Sequence, residues 1–182
     1  MNCLTLKKAT DYVNDYVVLD FETTGLNASF DKIIEVSILK YKNNELIDEF
    51  VTLVNPEVPI SPFITSITGI TNSMVKSFPT ISQILPLMIN FIDKNIIVGH
   101  NVNFDLRFLK YAIEYYGISI KNNELIYIDT LFLSRRFLIN LPNHKLETLK
   151  KYYKIEEISH RAKQDCLVTN IIFQNIKNGI KQ

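Results

Sequence analysis

An apolar run that stops at two acidic residues constrains the fold of this chain more than any other stretch. Residues 16–25 read YVVLDFETTG, so four residues of strand type lead into Asp20 and Glu22, and the run ends at Gly25. Side chains alternate across a strand, so the two acids share one face while Phe21 lies on the other. We therefore predict a buried strand that presents two neighbouring carboxylates near its end.

Two buried carboxylates side by side repel each other, and desolvation makes each charge costly. A bound cation or a raised pKa is the usual resolution. The alternative is a strand that fades into an acidic turn, and a D-x-E pattern alone does not decide between the two. If this stretch is half of a metal site, other parts of the chain must supply further ligands.

The composition fits a single globular domain. The chain has 182 residues, 47% of them hydrophobic, and 20 Lys and Arg balance 19 Asp and Glu. A polyanion would therefore have to be bound locally rather than through net charge. Cys3 and Cys166 form no zinc-ligand spacing, which fits a reducing compartment. Without a signal peptide or a long apolar run, we expect a cytoplasmic protein with no membrane association.

Hydrophobic periodicity predicts a mixed α/β order, with residues 1–14 as an extension or short helix and 15–182 as the domain. The first three strands are expected to form an antiparallel meander. The predicted strands are the stretch above, 31–41, 45–54, 95–99 and 126–129. The predicted helices are 80–92, 103–116, 130–138, 145–153 and 161–178, with a weaker pattern at 3–13.

Two further acids, Asp105 and Asp165, lie on the apolar faces of predicted helices. Each alone could be a hydrogen-bonded structural residue. With Asp20 and Glu22 they make four oxygen ligands of a kind that suits Mg²⁺ or Mn²⁺ rather than zinc. A pair of metal ions held by carboxylates is typical of phosphodiester cleavage. His160, five residues before Asp165, could take a proton from the attacking water, although a lone histidine is more often a surface residue.

The acids and the histidine lie in three motifs, which are Asp20-Phe-Glu22-Thr-Thr-Gly25, Gly99-His-Asn101-Val-Asn-Phe-Asp105 and His160-Arg-Ala-Lys-Gln-Asp165. In order and spacing these motifs resemble those of the DnaQ-like DEDDh 3′→5′ exonucleases, which include the proofreading exonucleases of bacterial replicative polymerases. The resemblance spans residues 15–178. It implies an RNase H-like α/β fold, a mixed five-stranded sheet whose first three strands are antiparallel, flanked by helices.

The resemblance also implies two divalent cations, Mg²⁺ or Mn²⁺. On this basis Asp20, Glu22 and Asp165 would ligate the first metal and Asp20 would bridge to the second. Asp105 would support the second metal directly or through water, and His160 would be the general base.

The same resemblance implies where a substrate would lie. Thr23, Thr24 and Gly25 would contact the 3′-terminal nucleotide, Asn101 would lie at the rim of the pocket, and the segment beginning at Ile67 would line the channel for the terminal base. Six cations surround the third motif and could bind phosphates, or could form an ordinary solvated helix surface. They are Lys145, Lys150, Lys151, Lys154, Arg161 and Lys163.

We therefore expect a 3′→5′ exonuclease that releases nucleoside monophosphates from single-stranded or frayed DNA ends. A DNA polymerase is its candidate partner, and proofreading or repair is its candidate role. An RNA-trimming exoribonuclease or oligoribonuclease would use the same five residues, because the distinguishing contact is to the 2′-hydroxyl. A non-catalytic, polymerase-associated module is the alternative from a different class. Such a module would be expected to have lost an acid or the histidine, and all five are present.

Overall fold

Six strands form one mixed sheet in the structure, a computed structural model that describes residues 4–9, 11–155 and 161–180. The strands are β1 (Thr5–Lys8), β2 (Tyr16–Thr23), β3 (Ile33–Lys42), β4 (Glu45–Leu53), β5 (Ile96–Gly99) and β6 (Glu124–Asp129). Their order across the sheet is β1-β6-β5-β2-β3-β4. Neighbours β2, β3 and β4 are antiparallel, whereas β5 pairs with β2, β6 with β5 and β1 with β6 in parallel.

Helices cover both faces of this sheet. The helices are α1 (Pro62–Thr68), α2 (Asn72–Val75), α3 (Ile81–Ile92), α4 (Asn103–Tyr116), α5 (Thr130–Phe137), α6 (Leu146–Tyr152) and α7 (Ala162–Ile180), with a 3₁₀ turn at Lys121–Asn123. Strand β2 contributes to the core on both faces, because its side chains alternate. Val17 and Leu19 pack with α3 and α4, while Tyr16 and Val18 pack with α5, α6 and α7.

The predicted α/β order and the antiparallel meander are confirmed. The predicted start of α3 is also confirmed, since the N–H of Thr80 donates to Oε1 of Gln83 at 2.8 Å in a capping box. Because β2, β5 and β6 run in parallel, their carboxyl ends meet at one edge of the sheet. This edge carries the acids of the first motif. Among the described residues, no helix combines the length and apolar character needed to cross a bilayer.

Two predictions about the N-terminal segment and the sheet are wrong. The segment 3–13 contains the strand Thr5–Lys8 in its described part, not a helix. Leu4 and Leu6, two positions apart, both pack on the core beside α4, which is the period of a strand. The sheet consequently has six strands rather than the five predicted, with β1 added at its edge.

Candidate functional site

The site is built on the carboxyl-terminal half of β2. Asp20 and Glu22 follow Val18 at alternate positions, so they point to the face covered by α7. The register with β3 shifts between Glu22 and Thr23, which forms an irregularity at the point where the strand leaves the sheet. Such bulges redirect side chains and are common beside active sites.

Helix α7 brings a third carboxylate to these two. Asp165 lies in its first turn, and one oxygen each from Asp20, Glu22 and Asp165 lies within 4.8 Å of the others. We call these three residues the acidic cluster. Carboxylate oxygens at this spacing suit a hard divalent cation. The residues present therefore fit the metal that the sequence predicted.

Asp105 is adjacent to the acidic cluster but plays a different part in this geometry. It lies near the start of α4 and is only 3% exposed, and its Oδ1 accepts the N–H of Phe21 at 3.0 Å. Phe21 is the residue between Asp20 and Glu22. Asp105 therefore fixes the main chain that carries both acids.

The crowding of these acids raises their pKa values. Burial, followed by the charges of Asp105, Asp165, Glu22 and Glu35, raises the pKa of Asp20 well above its usual range. Burial, with Asp165 and Glu35, raises the pKa of Glu22 to about 7. Burial raises the pKa of Asp105 to about 8 despite the hydrogen bond from Phe21. Without a cation these groups retain protons near neutral pH, and a divalent ion would replace those protons.

Strand β3 supplies two further polar residues to the same face. Ser37 lies opposite Asp20 in the ladder and Glu35 lies opposite Glu22. Glu35 is 2% exposed and forms an ion pair with Arg161, and the buried hydroxyl of Ser37 has no hydrogen-bond partner among the described residues. The sequence analysis missed both residues. The available signal was a charged and a hydroxyl side chain inside the otherwise apolar run IIEVSIL.

Several of the cations near the third motif, for which phosphate binding and a solvated helix surface were both left open, pair with acids of the protein. Lys150 is only 4% exposed, and its Nζ lies 2.7 Å from Oε1 of Glu147 and 3.4 Å from Oδ1 of Asp165. Burial lowers the pKa of Lys150, but the hydrogen bond with Glu147 and the charge of Asp165 outweigh it and raise the pKa overall. Lys163 pairs with Glu49 at 2.7 Å. Lys150 is therefore a counter-charge to the acidic cluster rather than a solvated surface lysine.

The predicted substrate residues Thr23, Thr24 and Gly25 begin a loop that is held by Asp31. The Oγ1 of Thr23 donates to the carbonyl of Gly25 at 2.6 Å, and the Oγ1 of Thr24 donates to Oδ1 of Asp31 at 3.3 Å. A Cβ at Gly25 would lie 2.4 Å from that Oδ1, so only glycine allows the carboxylate to approach. The next residue, Leu26, is 80% exposed at the tip of this loop.

The remaining predicted site residues lie in different surroundings. Asn101 is exposed, with a φ of 58°, and its N–H donates to Oδ1 of Asp129 at 3.0 Å. Ile67 is exposed on α1, one turn after the exposed Phe63. His160 lies outside the described residues, and Arg161 is the next residue that the structure describes.

Comparison with protein families gives one match over most of the chain. The RNase_T family model, described as exonuclease, matches residues 17–173. A PolC-type DNA polymerase III from Caldanaerobacter subterraneus is 43% identical over 160 residues, which are 87% of this chain and 11% of the relative. One from Thermotoga maritima is 38% identical over 168 residues, 92% of this chain and 12% of the relative. The chain thus spans about a ninth of the length of these curated relatives.

Solved structures of similar shape include exonuclease X in complex with 5′ overhanging duplex DNA. It is 26% identical with a TM-score of 0.74, and the match covers 92% of this chain and 93% of that chain. E. coli exonuclease I with a dA16 oligonucleotide has a TM-score of 0.78 at 20% identity, over 91% of this chain and 41% of that one. These likenesses confirm the predicted RNase H-like fold.

Proposed function

We propose that this chain, which belongs to the RNase_T exonuclease family, is a metal-dependent 3′→5′ exonuclease acting on single-stranded or frayed DNA. The observation that carries the proposal is the acidic cluster, whose three carboxylate oxygens lie within 4.8 Å of one another on the fold of that family. In the reaction, water attacks the terminal phosphorus and the bond to the 3′ oxygen breaks. The products are a nucleoside 5′-monophosphate and a shortened strand with a free 3′-hydroxyl.

Two cations, Mg²⁺ or Mn²⁺, would activate the water and stabilise charge on the attacking and leaving oxygens. Asp20, Glu22 and Asp165 would hold the first ion, and Asp20 would also help to hold the second. Asp105 would support the second ion directly or through water. The hydrogen bond from Phe21 to Asp105 supports a positioning role as well, because it fixes the main chain between two ligands.

The general base in this proposal is His160. A histidine titrates close to neutral pH, so it can accept the proton that the attacking water loses. The charges of the acidic cluster would favour the imidazolium that results. His160 precedes Arg161, which is anchored to Glu35 on β3.

The 3′-terminal nucleotide would lie against the loop that begins at Thr23. The main chain of this loop, from Thr23 to Gly25, would contact the nucleotide. The hydrogen bonds to Asp31 support this role, because they hold the loop in place before the substrate binds. Asn101 would form the rim of the pocket. The exposed side chain of Ile67 would contact the terminal base.

DNA is the substrate that the comparisons favour. The relatives of about 40% identity are DNA polymerases, and exonuclease X was solved with duplex DNA. By the same reasoning we propose that the chain works in the context of a replicative polymerase, where removal of a frayed, mismatched 3′ nucleotide is proofreading.

The test is digestion of a 5′-labelled single-stranded DNA oligomer with Mg²⁺ or Mn²⁺, beside a matched RNA oligomer. We expect a ladder that shortens from the 3′ end and disappears with EDTA and in Asp20→Ala. His160→Ala should lower the rate by about 10²–10⁴-fold, the usual contribution of a general base. Glu49→Ala, which removes an exposed acid from edge strand β4, is the matched control and should digest DNA normally.

Three results would contradict parts of the proposal. Faster trimming of RNA than of DNA would make the chain an exoribonuclease. An undiminished rate in His160→Ala would exclude that residue as the base. If neither strand is trimmed with either metal, the chain is not a nuclease, and a non-catalytic module becomes the better interpretation.

A further inference from the structure

A fifth carboxylate, Glu35, lies on the same face of the sheet as the acidic cluster. It is paired with Glu22 across the β2–β3 ladder and is 2% exposed. Directly opposed residues of an antiparallel pair project to the same side. An unpaired charge there would repel the other acids, so its partner determines what it can do.

Both oxygens of Glu35 are occupied by residues at the start of α7. The Nε of Arg161 lies 3.0 Å from each oxygen, and its Nη2 also contacts Oε1. The N–H of Ala162 donates to Oε2 at 3.2 Å. Charge-assisted contacts with this many donors are strong and directional. Both oxygens of Glu35 therefore have donors of their own, and Glu35 is not one of the three residues of the acidic cluster.

These contacts define how α7 begins. Ala162 is its first residue, and the carbonyl of Arg161 accepts the N–H groups of Gln164 at 2.8 Å and Asp165 at 3.1 Å. Glu35, which lies on strand β3, therefore acts as an N-terminal cap of α7. It accepts a main-chain N–H that has no acceptor within the helix. The turn held in this way is the one that carries Asp165.

We propose that Glu35 and Arg161 are a positioning pair that sets the distance between Asp165 and the two acids of β2, and so sets the affinity of the metal site. Two ligands come from β2, and β3 is tied to β2 through the ladder in which Glu35 faces Glu22. The third comes from α7, which Glu35 anchors to β3. The inference rests on the proposed function only in that the acidic cluster must bind a metal.

A second ion pair between α7 and the same meander provides a matched control. Lys163, two residues after Arg161, pairs with Glu49 of β4 at 2.7 Å. The side chains of Lys163 and Glu49 are 38% and 46% exposed, whereas the side chain of Glu35 is 3% exposed. Exposed pairs contribute little to stability or geometry because water screens them. Breaking this pair therefore changes the same helix turn without loosening its anchor.

The experiment titrates the full chain with Mn²⁺ and measures free Mn²⁺ by electron paramagnetic resonance. It compares wild type with Glu35→Gln, Arg161→Gln and the double variant. We expect each variant to bind Mn²⁺ about tenfold or more weakly, the usual effect of losing a residue that orients a metal ligand. The double variant should be no worse than the single ones, because the two residues act as a unit. Arg161→Lys, which keeps the charge, should recover part of the affinity.

Activity with DNA supplies the second readout. At subsaturating Mn²⁺ the variants should lose kcat while their KM for the oligomer stays unchanged, and excess Mn²⁺ should restore the rate. Glu49→Gln, which breaks the exposed pair with Lys163, should match wild type in both assays. Thermal melts of every variant, recorded in EDTA, report whether folding itself has changed.

Several outcomes would overturn the inference. If Glu35→Gln melts earlier but binds Mn²⁺ normally, the pair is only a structural tie. If Arg161→Gln binds Mn²⁺ more tightly while Glu35→Gln binds it weakly, Glu35 is itself a ligand. Wild type that binds no Mn²⁺ would overturn the inference and the metal-dependent reaction together. Wild type that binds Mn²⁺ without digesting DNA would contradict the proposed function alone, and the binding comparison would still decide the role of the pair.

Discussion

Two aspartates near the carboxyl ends of parallel-running strands, Asp20 on β2 and Asp129 on β6, show how the same residue type takes opposite roles at one edge of the sheet. The Oδ1 of Asp129 accepts the N–H of Leu131 at 2.9 Å and the N–H of Asn101 at 3.0 Å. It thus caps α5 and holds the turn after β5. The pKa of Asp20 is instead raised by burial and then by the acids that surround it.

The difference lies in what faces each carboxylate. Asp129 faces main-chain N–H groups, and its Oδ1 accepts two of them. Asp20 faces Glu22 and Asp165, so its ionised form needs a cation that the protein does not supply in full. A buried acid among donors is structural, whereas a buried acid among acids indicates a cation site.

The largest effect expected from this comparison is on activity. Asp20→Asn removes a proposed ligand of both metals, and we expect the exonuclease rate to fall about a hundredfold or more, beyond the usual loss from an orienting residue. In EDTA near neutral pH the same variant should melt at a higher temperature than wild type, because folding no longer has to keep a buried carboxyl of raised pKa protonated. Digestion assays and thermal melts check the two parts.

A stable, inactive Asp20→Asn protein would support the comparison. A variant that instead melts earlier in EDTA would show that Asp20 stabilises the fold, as Asp129 does. For the melts alone, Asp31→Asn is a suitable control for the general effect of neutralising a carboxylate near the first motif, because Asp31 accepts its hydrogen bonds in the adjoining loop rather than in the acidic cluster.

The second prediction concerns pH. The raised pKa values of Glu22, about 7, and Asp105, about 8, mean that the folded metal-free chain holds protons that the unfolded chain has released. Their contribution to stability is present in full at acid pH and is lost as the pH rises through these values. We expect the melting temperature in EDTA to fall between about pH 5 and about pH 8.5.

Mn²⁺ should reverse that trend, because metal binding requires the ionised acids and tightens as the pH rises. The stabilisation by Mn²⁺, measured as the difference between melts with metal and with EDTA, should therefore increase over the same range. Asp20→Asn should flatten both curves. A melting temperature in EDTA that rises with pH would contradict the prediction that the crowded acids of the folded, metal-free chain retain their protons.

Sequence reasoning located the acids because each lies at a position that periodicity makes inward-facing. The alternation of β2 placed Asp20 with Glu22, and helical spacing placed Asp165 on the buried stripe of α7. These inferences are local, and the structure brings the three together. The N-terminal segment shows the limit of the same method, since Leu4 and Leu6 fit a strand while Ala9 and Val13 completed a helical pattern.

What the sequence did not indicate is pairing across long distances. Arg161 and Glu35 are 126 residues apart, and Lys150 reaches Asp165 from a different helix. Sequence reasoning left both cations as either phosphate-binding or part of a solvated helix surface, because an isolated basic residue is normally exposed. The choice between a surface cation and a buried partner depends on tertiary packing that no local pattern contains.

The third prediction tests the structural aspartate. Asp129→Ala removes the acceptor of two main-chain N–H groups, and we expect a loss of about 1–2 kcal/mol in the free energy of unfolding. Mn²⁺ affinity should not change, because Asp129 is not in the acidic cluster. Denaturant unfolding in EDTA measures the first and Mn²⁺ titration the second. Weakened Mn²⁺ binding in this variant would show that Asp129 affects the metal site, although its hydrogen bonds lie outside the acidic cluster.

The smallest effect should come from Asp129→Asn, which keeps an oxygen acceptor for both N–H groups while removing the charge. Asparagine caps helices about as well as aspartate, so we expect a change in the free energy of unfolding of about 0.5 kcal/mol or less. The same substitution type that abolishes activity at Asp20 would then be nearly silent at Asp129. If Asp129→Asn is as damaging as Asp129→Ala, the charge of Asp129 matters and not only its hydrogen bonds. The difference in role between Asp20 and Asp129 would then depend only on how many acids surround each of them.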